Sequence, residues 1–141
     1  MKKTAVFFIL ILLGLSACSK KSEKKLEAFS PEAFAYSLDG GWEVNATVMV
    51  KGYEMKADQK QDNIKLAYSV DLITPENRTL KGVFADTLNN SSDEAFSDLK
   101  LESQFQMDSV YKTGKYKIQI NVKDLLSGKE ANASREFDVS R

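Results

Sequence analysis

Gly114-Lys115-Tyr116-Lys117-Ile118-Gln119-Ile120-Asn121-Val122-Lys123-Asp124 alternates without a break. Tyr116, Ile118, Ile120 and Val122 make one apolar row, and Lys117, Gln119, Asn121 and Lys123 make a wholly polar one. Successive side chains of a strand point to opposite faces, so a period of 2 describes a strand with one face on a core and one in water. A helix would scatter the same four apolar residues around its axis. Ser127-Gly128 then turns the chain. Ala131, Ala133, Phe137 and Val139 follow as a last strand, with Arg135 in the inward series and so near an edge.

The same period recurs upstream. Trp42, Val44, Ala46, Val48 and Val50 share one face, with Glu43, Asn45, Thr47 and Lys51 on the other. Ile64, Leu66, Tyr68, Val70 and Leu72 alternate with Lys65, Ala67, Ser69 and Asp71, and Leu99, Leu101, Ser103, Phe105 and Met107 align likewise. Before them, Phe34, Tyr36 and Leu38 read as the apolar row of a first strand closed by the turn Asp39-Gly40-Gly41, although Ser30-Pro31-Glu32 also suits a helix start. Gly52 breaks the second run, and Lys56 to Asn63 reads as a polar loop. Thr74-Pro75-Glu76-Asn77 is a turn. A shorter strand is expected around Leu80 to Ala85, then a long polar connection from Asp86 to Asp98. This makes seven strands and no sustained helical period, which fits an immunoglobulin-like β-sandwich. A small eight-stranded β-barrel is the alternative.

The stretch from Gly114-Lys-Tyr116 through Ser127-Gly-Lys129 to Phe137-Asp-Val139 resembles the closing hairpin of bacterial immunoglobulin-like and fibronectin-like modules. The resemblance implies the sandwich and is silent on function. With no cysteine pair on the strands, an antibody-type domain is excluded, and Trp42 falls in an early strand rather than opposite a disulfide. Tyr116 stands where such sandwiches place a tyrosine corner, its ring buried and its hydroxyl on a nearby backbone group.

The N-terminus follows a different pattern. Lys2 and Lys3 precede an eleven-residue apolar run from Ala5 to Leu15, too short for a bilayer span, which takes roughly 20 residues. The run ends in Leu15-Ser16-Ala17-Cys18, which resembles the lipobox of bacterial lipoproteins. That resemblance implies cleavage before Cys18, a thioether-linked diacylglycerol on its thiol, and a further acyl chain, palmitate in type, on the new amine. Ser19 resembles an outer-membrane sorting signal. Residues 1–17 are then a signal peptide to be set aside from the fold. Residues 18–27 are the lipidated Cys and a charged tether, too polar to order themselves, and 28–141 are the sandwich domain. The tether lysines would gain ~1 kcal/mol each near anionic headgroups, or serve only as a spacer.

Twenty basic and twenty acidic residues give zero net charge, which argues against nucleic acid as a partner. The absence of His removes His triads and His metal ligands, and one Cys removes a disulfide framework or multi-Cys zinc site. No nucleophile-elbow, P-loop or dinucleotide motif is present. Glu43, Asp71, Glu102, Glu136 and Asp138 fall on outward strand positions, a poor basis for a catalytic carboxylate pair. Asp86 to Glu94 holds oxygen ligands of the type calcium takes, but lacks the EF-hand glycine, and a polar inter-strand loop explains the same residues more cheaply. Asn45, Asn77, Asn90 and Asn132 match glycosylation sequons, which behind a lipobox carry little meaning. Trp42, Tyr53, Met55, Phe96 and Tyr111 would serve a glycan or peptide groove, or simply core packing. The expectation is a monomeric, non-catalytic, lipid-anchored envelope protein with no cofactor or metal. It would be fixed to the outer membrane through Cys18 and present its domain to another envelope protein. The alternative is a lipoprotein that binds a glycan or cell-wall ligand.

Overall fold

Trp42, Val44, Ala46, Val48 and Val50 are all buried, and the rows of Ile64 to Leu72, Leu99 to Met107 and Tyr116 to Val122 also turn their apolar sides to the core. The computed structural model describes residues 23–58, 61–92 and 98–141. Its strands are β1 (Glu27–Leu38), β2 (Gly41–Lys51), β3 (Lys56–Asp58), β4 (Gln61–Ile73), β5 (Thr79–Ser92), β6 (Asp98–Asp108), β7 (Gly114–Asp124) and β8 (Glu130–Val139), with no helix among the described residues. Strands β1-β2-β6 form one antiparallel sheet and β5-β4-β7-β8 the other. β5 runs along one edge of β4, so β3 and β7 share its other edge. In the lettering of immunoglobulin-like sandwiches this is A-B-E facing C′-C-F-G. β1 lies beside β8 but exchanges no ladder with it, so the barrel is not closed.

Among the described residues eight strands replace the expected seven. The polar stretch expected as a loop from Lys56 to Asn63 is instead paired, Lys56 with Asn63 and Ala57 with Asp62. The strand expected around Leu80 to Ala85 runs on to Ser92, and most of the expected long connection belongs to it. Pairing with β4 explains both, because Leu88 lies opposite Leu66 and Phe84 opposite Val70. Those contacts hold a sequence of low strand propensity on the solvated edge of a sheet. Ser30-Pro31 starts no helix. It lies inside β1 as a bulge, with Ser30 at φ 49° and the register shifting between Phe29 and Glu32.

The domain also begins earlier than expected. Leu26, assigned from its charged surroundings to the tether, is buried in the core. Gly52 (φ 74°) makes room for the entering chain: a Cβ there would lie 2.0 Å from the Lys25 carbonyl oxygen. Lys129 Nζ donates to the Lys24 carbonyl at 2.7 Å. The segment expected to be a signal peptide, residues 1–17, and Cys18 lie outside the described residues.

Three aromatic side chains clasp the ends and one side of the sandwich. The Trp42 indole N–H donates to the Ser140 carbonyl (2.8 Å), and the Tyr68 hydroxyl crosses between the sheets to the Glu102 carbonyl on β6 (2.7 Å). The Tyr116 hydroxyl donates to the Lys112 carbonyl at 2.7 Å, four residues upstream, which is the tyrosine-corner bond. Tyr116→Phe keeps the ring and leaves that carbonyl without its donor. The expected loss is ~1–3 kcal/mol in urea unfolding at neutral pH, and an unchanged midpoint would show that the bond contributes nothing.

Candidate functional site

β1 carries large apolar residues at even positions and alanines at 33 and 35. The register sets their faces: Phe34 lies opposite Asn45, Tyr36 opposite Glu43 and Leu38 opposite Gly41, all on the face of β2 that points away from the core. Phe34 is therefore 56% exposed, Tyr36 55% and Leu38 46%, while Ala33 is buried and Ala35 packs against the core. This reverses the expected inward row. Ala28, Ala33 and Ala35 take the inner side, where β1 runs close beside β8. A shift of one residue in parity exchanges the two faces of a strand.

The outer face of β1-β2-β6 thus bears an apolar band. Phe29 and its register partner Met49 begin it, and Phe34, Tyr36 and Leu38 continue it toward the β1–β2 turn. Beside the band stand Glu32, Glu43, Glu102 and Asp108. Lys51 pairs with Glu27 at 3.3 Å and lies 4.8 Å above the Phe29 ring. Lys100 pairs with Glu102. Its ammonium is held above the ordinary lysine range first by the hydrogen bond to Glu102 and then by that carboxylate's charge, with a weaker pull from Glu32. Among the described residues Glu32, Glu43 and Asp108 make no salt bridge. Glu43 accepts from the Asn45 amide (3.1 Å), and Asp108 from the Val110 N–H (3.1 Å). Val110, 80% exposed, lies at the same end of the sandwich as Leu38.

The residues singled out from the sequence are distributed differently. Trp42 and Tyr53 are buried and Met55 and Tyr111 pack against the core; Tyr53 and Met55 line one shallow depression, and Trp42 and Tyr111 another. Phe96 lies outside the described residues. Asp86 to Ser92 is extended strand rather than a loop, and Asp93 and Glu94 lie outside the described residues. On the opposite sheet a trough of about 720 Å³ crosses the outer face, floored by Ala67, Ser69 and Ala85 and walled by Thr87, Asn121 and Asn132. Its cation Lys123 is paired with Glu130 at 3.1 Å.

Two acids are buried for structural reasons. Asp71, placed outward by the alternation, faces outward but is covered. It accepts from Lys81 Nζ (2.8 Å), the Gly82 N–H (2.9 Å) and the Asn121 amide (3.1 Å). It thereby fills the irregularity where β5 carries extra residues opposite it, with Gly82 at φ 61°. Asp124 accepts from Glu54, Leu126 and Ser127 and is fully buried. Burial by itself would raise both carboxyls. The hydrogen bonds outweigh it and hold both below the ordinary aspartate value, led by Lys81 at Asp71 and by Ser127 at Asp124. The alternation had no signal for either role, because a period of 2 reports faces and not partners.

No protein-family model and no curated protein sequence matches the chain. Among solved structures the chain is similar to a Pseudomonas fluorescens alkylpurine DNA glycosylase, AlkC, bound to DNA containing an abasic site analog. The TM-score is 0.40 at 11% identity, over 83% of this chain and 31% of that one. A likeness that low carries no argument about function, and the candidate site rests on the chain's own surface.

Proposed function

We propose that this chain is a non-catalytic, lipid-anchored protein of the bacterial envelope, held to the outer membrane through Cys18, that docks another envelope protein on the outer face of β1-β2-β6. The observation carrying this is the half-exposed row of Phe34, Tyr36 and Leu38. Single exposed apolar residues are ordinary on protein surfaces, but a continuous row along one strand marks a contact area. Burying a large apolar side chain is worth roughly 1.5–3 kcal/mol. The anchor supplies the rest. Each buried CH₂ of a lipid chain contributes ~0.8 kcal/mol, and confinement to a layer raises effective concentration, so a weak face becomes sufficient.

Position supports the same reading. Cys18 is five residues from Glu23, where the described chain starts, a reach of at most ~18 Å at ~3.6 Å per residue. β1 then rises ~3.3 Å per residue, so Tyr36 stands ~30 Å along the strand from Glu27.

Cys18→Ser is expected to abolish incorporation of a fatty-acid analogue and to leave the precursor uncleaved. Continued labelling would end the lipoprotein reading. Crosslinking and pull-down from envelopes should capture a specific protein with the anchored chain, and less of it in cells with a secreted Cys18→Ala form that has a cleavable signal. If neither form captures protein while the mature chain binds glycans or hydrolyses a substrate, docking should be abandoned.

A further inference from the structure

We infer that the partner of the β1-β2-β6 face is an extended protein segment that presents lysines or arginines beside alternating apolar side chains; this rests on the docking role proposed above. Three observations set that chemistry. The first is charge. Glu32, Glu43 and Asp108 border the apolar band without salt bridges, whereas Lys51 and Lys100, the cations of this face, are already paired with Glu27 and Glu102. A face with carboxylates in excess repels anionic lipid headgroups and phosphodiesters and favours cations at its rim, where complementary charge sets encounter and register.

The second observation is spacing. Phe34, Tyr36 and Leu38 follow one another every second residue along β1, and two residues of strand span ~6.7 Å. Alternate residues of another extended chain repeat at the same interval. A helix repeats its face every 5.4 Å and falls out of step.

The third is the state of the strand's own edge. The bulge at Ser30-Pro31 interrupts the ladder, and β8 lies beside β1. Addition of a partner strand by main-chain pairing is thereby obstructed, and the segment lies across the face, held by side chains.

The test places a photo-crosslinking amino acid at position 36 and, separately, at position 87 on the other sheet's outer face. Both are made in the full-length chain in cells, and the crosslinked partner segment is mapped by mass spectrometry. We expect products from position 36 and not from 87, in a segment where Lys and Arg outnumber Asp and Glu around alternating apolar residues. Glu32→Lys with Glu43→Lys should lower that yield at least tenfold with the circular dichroism spectrum unchanged. If that pair fails to fold, Glu32→Gln with Glu43→Gln should still lower it at least threefold. A crosslinked lipid or glycan, an acidic partner segment, products from 87 instead, no product from either position, or a yield indifferent to charge would each overturn the inference. The anchor is read separately: absence of lipid labelling in the chain that keeps Cys18, with the position-36 crosslink intact, would count against the lipoprotein alone.

Discussion

Replacing Asp124 with alanine is expected to lower the unfolding free energy by about 3–4 kcal/mol, among the largest effects of any single change in this domain. One Asp124 oxygen accepts the Glu54 N–H and the Ser127 hydroxyl, each at 2.7 Å, and the other accepts the Leu126 N–H at 2.9 Å. The carboxylate therefore joins the link after β2 to the turn between β7 and β8, far apart in sequence. Alanine leaves several donors without an acceptor at a fully buried position. A hydrogen bond to a charged group is worth roughly 1.5–3 kcal/mol, and an orphaned buried donor costs about 1–3. Asp124→Asn keeps one acceptor oxygen and should lose less, about 1–2 kcal/mol.

The same carboxylate sets the acid limb of stability. Asp124 and Asp71 both lie below the ordinary aspartate value of 3.8 in the folded chain. The unfolded chain therefore binds protons first as the pH drops. Their stabilisation is complete above 3.8 and is lost as pH falls through the two depressed folded-state values. Urea unfolding between neutral pH and pH 2 should show wild-type stability declining below about pH 4, with a shallower decline in Asp124→Asn. Parallel acid limbs in the two proteins would assign the pH dependence to other groups.

Trp42→Ala is the second large expected loss, about 3–5 kcal/mol, the range for removing a large aromatic from a packed core. Trp42 heads β2, is nearly fully buried, and donates its indole N–H to Ser140 beyond the end of β8. It contributes both packing between the sheets and a pin on the C-terminal segment. Trp42→Phe separates the two. It keeps most of the ring and loses the bond, so about 1–2 kcal/mol should go, with faster amide exchange confined to the end of β8. Equal losses in the two variants would show that the bond, and not the packing, is what Trp42 supplies.

Four strands were readable directly. β2, β4, β6 and β7 bury one alternating row against the opposite sheet, and a half-buried strand writes that demand into every second residue. Tyr116 was readable as well, because a tyrosine two residues into a strand that follows a loop has its hydroxyl within reach of the preceding backbone. β1 was not. Its large residues are the outward ones, so the usual inference from apolarity to burial inverts there, and the exposed band follows from that inversion. β3 and the second half of β5 were hidden because pairing partners, not composition, make them strands. Leu26 was hidden by the six charged or polar neighbours preceding it from Lys20 to Lys25, and only the approach of Gly52 to the Lys25 backbone shows that the core reaches back so far.

By itself the sequence determined the all-β class, the inward rows of β2, β4, β6 and β7 and the turns at Asp39-Gly40, Thr74–Asn77 and Ser127-Gly128. It also determined the lipobox-like run that motivates the anchor. These are local properties, set by side-chain period and by the φ angles that glycine, proline and asparagine permit. Only the tertiary structure decided which way Phe34, Tyr36 and Leu38 face, that Asp71 and Asp124 are buried, and that Tyr68 reaches across to β6. Each depends on what a second strand brings opposite, and a single chain read one residue at a time carries no record of its register.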